Sequence, residues 1–381
     1  MLKYLITALV FLSVVGKAQK PIDYLSVDSL TYRYYITGEW ARLIDLGNQA
    51  VDQKIDYKKL RQRIGYAYFM EGDYYSAQQH YEKALAYDSF DADTRAYLYF
   101  SALNTGNETT ARFQADKLPL QVQQNLNIQQ FKLIDAIDFE FNYKSNNSGS
   151  RSNPTYLRFG INTFLSYRLS LYQSYSNYSQ SYDTGMVIKQ PEYYALLTWS
   201  ATPHSSVNLA YHYLNTTSGG VNLPGNMFYG SYDAKINRFH LGLNGSVISN
   251  SQNQYTQLGL QGGFTLPGYS NLNFTTSISN LKDNSTSHTI FSQTVGARLA
   301  KTLWGNVNMT VGNLNFYNDF NALYVYNSID PTLFRIGVTL FWYLGKHITL
   351  TANYTYDTKK IELTQLNYIQ QSFLGGIRCK L

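Results

Sequence analysis

The chain has 381 residues, 15% charged and 16% aromatic, with 36 tyrosines, one cysteine and a formal net charge of +6. One cysteine excludes a disulfide framework and a cysteine-based zinc site, and a mean hydropathy of −0.30 excludes a bundle of membrane helices. The basic excess lies wholly after residue 131 and is spread thinly, without a basic run, so nothing points to nucleic acid.

Residues 1–18 predict a secretory signal peptide. Lys3 supplies the positive start, and Tyr4 to Val15 form an apolar run too short to span a bilayer. Gly16-Lys17-Ala18 places small residues at a cleavage site, with the mature chain expected to begin at Gln19. Gln19 rather than a cysteine stands at that point, so a lipoprotein is not expected.

Residues 19–118 predict a helical repeat domain. Gly38, Gly72 and Gly106 are each 34 residues apart, the period of tetratricopeptide repeats. The middle unit, about 58–91, carries the pattern best. Ile64-Gly65 and Tyr68 stand where L-G-x-x-Y belongs, and Ala77 and Tyr81 where A-x-x-x-F belongs. Gly65 and Ala77 would let two helices approach, Tyr68 and Tyr81 would fill the gap, and Gly72 would turn the chain between them. Such a stack offers a surface to a partner protein or serves as a spacer. Tyr74, Tyr75, Tyr97 and Tyr99 are read as exposed and are the partner-docking candidates, since aromatic side chains concentrate at interfaces. Residues 119–131, rich in Gln and Asn, read as a linker or as the last helix of the stack.

From residue 132 to 381 the period changes from 3.6 to 2. Ile137, Phe139, Phe141 and Tyr143 alternate with Asp138, Glu140 and Asn142. The pattern recurs at Leu157-Phe159-Ile161, Val207-Leu209-Tyr211, Phe239-Leu241-Leu243, Val295-Ala297-Leu299 and Phe373 to Leu381. Segments of about ten residues, apolar on one side and polar on the other, are what a tilted strand needs between lipid and water. Polar loops at 145–154, 178–190, 215–225, 249–253, 282–287, 315–330 and 357–366 alternate with six short turns, which predicts an antiparallel transmembrane β-barrel of about 14 strands, with 12 the alternative because 222–250 reads two ways. An even number puts both barrel ends in the periplasm with the repeats. The fold class is therefore α + β multidomain. Tyr193, Trp199, Trp342 and Tyr343 suit aromatic girdles at the two lipid interfaces.

Within the barrel, Arg158, Arg238, Arg298, Arg335 and Arg378 are expected to line the lumen, with Asp138, Glu140 and Glu192. Two readings stay open. The arginines guide an anionic or sugar solute, or the charges pair with each other and brace a closed barrel. Tyr143, Tyr172, Tyr175 and Tyr194 either face sugar rings in the lumen or belong to the lipid face. No catalytic residues, metal site or cofactor are expected, because G-x-S-x-G, H-E-x-x-H, P-loop and G-x-G-x-x-G contexts are missing. His288, beside Ser287 and near Ser292, is the only histidine placed for an outer-rim hydrolase.

The succession of signal peptide, 34-residue repeats at 58–91 and their neighbours, and C-terminal barrel resembles the YaiO-type outer-membrane barrel proteins. Its layout is also similar, on a smaller scale, to outer-membrane exporters of exopolysaccharides. The resemblance implies a non-enzymatic outer-membrane protein of a Gram-negative bacterium with its repeats in the periplasm. Its implied role is a translocation pore whose repeats dock a periplasmic protein, exporting a polysaccharide or another envelope polymer. The alternatives are a closed barrel that anchors the repeats without transport and, third, a lipid-modifying enzyme.

Overall fold

The computed structural model describes residues 22–381 except 183–184, 251–252, 269, 284, 329 and 362–363. The expected signal peptide lies outside the described residues.

Seven helices come first: α1 Tyr24–Thr37, α2 Trp40–Asp52, α3 Lys58–Met70, α4 Tyr74–Tyr87, α5 Ala92–Asn104, α6 Glu108–Lys117 and α7 Leu120–Asn125. The first six form three helical hairpins whose starts recur every 34 residues. The local chemistry sets those starts. Asp23, Asp73, Asp91 and Asn107 each accept a hydrogen bond from the backbone N–H three residues on, capping α1, α4, α5 and α6. Gly38, Gly72 and Gly106 turn each hairpin in the left-handed region, with φ of 72°, 78° and 64°. Between α3 and α4, a Cβ on Gly65 would stand 3.0 Å from the Tyr81 ring, so the glycine permits the close approach. Of the two readings of 119–131, the last helix of the stack is the one seen over Leu120–Asn125, as α7. Buried Gln123 donates to Ala115 O and Leu118 O and ties α7 back to the stack.

The barrel strands are β1 Lys132–Asn146, β2 Thr155–Ser166, β3 Leu169–Ser181, β4 Val187–Thr202, β5 Ser205–Ser218, β6 Val221–Ile236, β7 Phe239–Asn250, β8 Gln254–Thr265, β9 Asn273–Lys282, β10 Ser287–Ala300 and β11 Leu303–Val311, then β14 Thr332–Leu344, β15 Ile348–Lys360 and β16 Asn367–Lys380. A small hairpin, β12 Asn318–Asp319 and β13 Tyr324–Val325, lies between β11 and β14 and belongs to no barrel pair. Each barrel strand pairs antiparallel with its neighbours in the chain, and β1 pairs with β16 from Ala136↔Lys380 to Asn146↔Gln370. The result is a closed 14-strand antiparallel barrel behind an α-helical region, as the alternation predicts.

Two connections differ from expectation. The loop read over 215–225 is a two-residue turn, Gly219-Gly220, with φ of 57° and 83°. Both glycines adopt the left-handed angles that a tight hairpin requires, so β5 and β6 run on to meet there. The connection 312–331 does not project outward at all; it folds back inside the barrel.

Parity follows the pleat. Phe139, Phe141, Leu157, Phe159, Leu209, Leu241, Leu243, Leu258 and Phe373 point outward and are exposed. A closed sheet has no edge to hide, and an apolar belt running round it has no place in water. It is a lipid-facing surface. Trp199 and Trp342 mark its short-turn end, and Tyr143, Tyr175 and Tyr354 its long-loop end, all exposed.

Candidate functional site

The inward faces of the strands carry the polar residues, and the long-loop half of the lumen is filled by 312–331. Leu314 and Ala322 have no exposed surface, and Tyr317 and Asn318 are buried. The wall holds this plug from many sides. Tyr194 Oη donates to Asn321 O (2.7 Å), and Tyr229 Oη donates to Asn321 Oδ1 (3.0 Å). Asn318 N donates to Gln257 Oε1 (3.0 Å) while Gln257 Nε2 donates back to Asn318 O (3.1 Å). Tyr324 Oη donates to Glu140 Oε2 (2.8 Å), and Arg335 Nη1 to Tyr326 Oη (2.5 Å). The β4–β8 side adds an apolar grip to these hydrogen bonds: Leu214, Met227 and Ile248 cluster with Ala322, and Phe316 stacks on Tyr255 with centroids 4.1 Å apart. The plug's tip is strained. Phe320, Asn321 and Ala322 have φ of 52°, 56° and 66°, in a region that costs a residue with a Cβ about 1–2 kcal/mol. Contacts with the wall must offset that cost.

The charges predicted to line the lumen divide into two groups. Arg158 sits between Asp138 (3.0 Å) and Glu140 (2.5 Å), and Tyr172 Oη donates to Asp138 (3.0 Å). Arg335 forms a bidentate pair with Asp357, at 2.6 and 2.7 Å. Glu192 accepts from Ser176 Oγ (2.9 Å) and faces His212. These inward charges pair and brace the closed half of the barrel.

Arg238, Arg298 and Arg378 stand elsewhere. Arg238 is in the turn between β6 and β7, because β6 continues to Ile236 before Asn237 reverses the chain at φ 55°. It donates to Asp73 of the helical region (2.7 Å) and lies over Tyr75, 4.9 Å from the ring centroid. Arg298 lies at the short-turn end of β10, over Trp304. Arg378 occupies an inward register position opposite Asp138, but its side chain is exposed at that same end. None of the three joins the bracing cluster.

The short turns form a footing for the helices. Besides Arg238–Asp73, Arg168 faces Asp116 (3.5 Å), Tyr167 Oη donates to Gln123 Oε1 (2.6 Å), and His204 faces Glu82 (3.7 Å). Arg112 of α6 lies over Phe164, 4.0 Å from its centroid. Burial at this junction pushes the Glu82 carboxyl up, with His204 pulling the other way.

The four docking tyrosines are not exposed. Tyr75 is buried under Arg238. Tyr97 packs on Tyr66, Phe69 and Tyr81, Tyr74 packs edge-on to Phe69, and Tyr99 is held up in pKa by burial beside Arg112. The barrel covers Tyr75, and packing between hairpins leaves Tyr74, Tyr97 and Tyr99 half-buried. The tyrosines read as lumen or lipid residues split: Tyr172 and Tyr194 face inward, Tyr143 and Tyr175 outward.

Several functional residues carry no signal in sequence. His212, Tyr324, Tyr326, Asp330 and Asp357 enter the network through the plug. One clue exists: 314–326 holds Leu, Phe, Tyr, Phe, Ala, Leu, Tyr, Val and Tyr, far more apolar surface than an exposed loop requires. His288, at the outer end of β10, has its Nε2 3.1 Å from Thr286 Oγ1. Among the described residues no group of acidic, His and Cys side chains could hold a metal ion.

Below the plug the inward face changes character. Asn244, Gln261, Thr294, Asn306, Thr339 and Asn353 are half-buried amides and hydroxyls, and the Asp233 carboxylate among them accepts from Gln261 Nε2 (3.0 Å) and Asn208 Nδ2 (2.9 Å).

A closed barrel with a lipid-facing belt, a polar interior and an inserted plug defines a membrane-spanning β-barrel protein carrying a helical unit on its short-turn end. No family profile matches the chain, and no curated protein matches it. Among solved structures it is similar to a bacterial polysaccharide outer membrane secretin (TM-score 0.43, 9% identity, 66% of this chain and 100% of that one). It is also similar to the Pseudomonas putida toluene transporter TodX (0.42, 8%, 64% and 88%) and to Omp33 of Acinetobacter baumannii (0.38, 7%, 65% and 99%). Likenesses this distant say nothing of what the lumen carries.

Proposed function

We propose that the chain is a non-enzymatic outer-membrane channel of a Gram-negative envelope, shut at rest by 312–331, with its helical unit set across the periplasmic mouth. The observation that carries this reading is the plug. It is tethered at both ends to lumen strands and held on the β1–β3 and β14–β16 side by hydrogen bonds and paired charges rather than by apolar packing. Such contacts exchange for water at small net cost when a segment moves. Beneath it, amide and hydroxyl groups suit an uncharged, hydroxyl-rich polymer such as a polysaccharide. A partner that binds the helices would act on the mouth through the footing at Arg238 and Arg168.

The apolar cluster around Ala322 favours a second reading, a sealed barrel that anchors the helices for a periplasmic partner. Single-channel recording separates the two. Full-length protein should be silent, and a variant with 314–329 replaced by a short Gly-Ser link should conduct steadily. Silence from both, in protein that shows heat-modifiable gel migration, would leave the anchor.

A further inference from the structure

We infer that one shared proton, held between Glu192 on β4 and His212 on β5, latches the plug by its tip. The inference rests on the gated-channel reading and supplies its regulation. The geometry counts the protons. His212 Nδ1 lies 2.8 Å from Ala322 O, and a carbonyl only accepts, so Nδ1 carries a hydrogen. His212 Nε2 lies 3.2 Å from Glu192 Oε2, so a hydrogen must stand between these two atoms as well. The pair is therefore an imidazolium facing a carboxylate, or a neutral imidazole facing a carboxylic acid. In both forms it holds one proton more than a carboxylate beside a neutral ring. Glu192 and His212 are buried, and His212 is 1% exposed, so water does not stand in for a lost partner.

Removing that proton leaves one N–H for two acceptors. If the ring keeps Nδ1–H, the Nε2 lone pair faces the carboxylate. If it keeps Nε2–H, its Nδ1 lone pair faces Ala322 O. One contact turns repulsive in either case. The element that depends on it is the one under strain, since Phe320, Asn321 and Ala322 all sit at positive φ and relax when the tip leaves the wall. Alkaline conditions thus release the tip, and the proton holds it.

The surroundings add few rivals. Lys144 of β1 and Tyr156 of β2 lie within electrostatic reach of Glu192. Tyr194 meets the His212 ring edge-on, centroids 5.4 Å apart, and Met227 of β6 stands opposite His212. From the plug, the backbone of Ala322 faces the ring and Asn327 reaches Gln190, which itself donates to Glu192.

The test reads the plug directly, in full-length protein whose native Cys379 is replaced by serine. Ala322→Cys places a thiol beside the latch, and Phe320→Cys gives an exposed reference on the same tip. The ratio of their maleimide labelling rates cancels the rise of thiolate with pH. Across a scan from about pH 5 to about pH 10 the ratio should rise about tenfold with the native pair, and stay within about twofold, at whatever level, in His212→Gln and in Glu192→Gln. Both variants leave Lys144 and Tyr156 in place, so a response arising there would survive them. A flat ratio with the native pair, or a rise that persists in the glutamine variants, overturns the latch. If Ala322→Cys does not fold, Leu323→Cys takes its place, and either glutamine variant alone decides the comparison. Labelling reports plug position whether or not current flows. A pH-dependent ratio in a barrel without conductance would sink the channel and keep the latch.

Discussion

Replacing Arg158 with methionine tests whether the paired charges brace the barrel. The guanidinium has about 6% of its side chain exposed and, among the described residues, is the only cation paired with Asp138 and Glu140, themselves 12% and 16% exposed. Each contact is worth about 4 kcal/mol in gross Coulomb terms at an effective dielectric of about 20. Desolvation returns much of that, and breaking a buried pair by removing one partner costs about 3–5 kcal/mol. Arg158→Met should therefore lower barrel stability by about that amount, because two buried carboxylates are left facing each other. Adding Asp138→Asn and Glu140→Gln should recover most of the loss, since no unpaired charge remains. The assay is the urea midpoint of the shift from heat-modifiable to unfolded gel migration, with refolding checked from both sides. An Arg158→Met midpoint equal to the native one would refute the bracing argument. So would a triple variant no more stable than the single one.

Arg238→Ala should loosen the helical unit and leave the barrel's urea midpoint unchanged. One partly exposed ion pair and one cation–π contact are together worth about 1–2 kcal/mol, and faster proteolysis between residues 119 and 131 would report their loss. Gly65→Val should cost about 1–3 kcal/mol by overpacking against Tyr81, read as an earlier loss of the far-UV helical signal on heating the full chain. The helical unit should also lose stability in mild acid. Burial, and after it the neighbouring Arg61 charge, hold His80 down to about 4 against 6.5 for the free side chain. The unfolded chain binds that proton first, so stability is complete above about pH 6.5 and falls until about pH 4, by about 3 kcal/mol in all. His80→Gln should abolish this slope; a native unit equally stable across that window would contradict it.

Much of this architecture is legible in the sequence, and the reasons are local. Alternation over residues such as Phe139-Glu140-Phe141 survives folding because a closed sheet keeps one face in lipid all round. The 34-residue spacing of Gly38, Gly72 and Gly106 is legible because only glycine turns those hairpins cheaply. What is lost is what depends on distant partners. Arg238 reads as a lumen residue because it continues the alternation of Phe239, Leu241 and Leu243 one position backward, and only the reversal at Asn237 puts it in the turn. Tyr75 and Tyr97 read as surface because helical periodicity does not say which faces the barrel and the next hairpin will cover. His212 and Glu192 stand 20 residues apart on adjacent strands, and Ala322 comes from 110 residues further on. No spacing rule joins them.

The seam between β1 and β16 sets an order of assembly. Its partners, such as Ala136 and Lys380, are the first and last parts of the barrel to be made, and Leu381 N donates to Asp135 O at its end. The wall cannot close until β16 has been made, whereas the helices contact chiefly their own neighbours, all of which precede β1. The footing draws on turns as far along as Arg238, so it forms only when the wall does. Loss of even the last few residues would thus leave a folded helical unit with nothing to stand on.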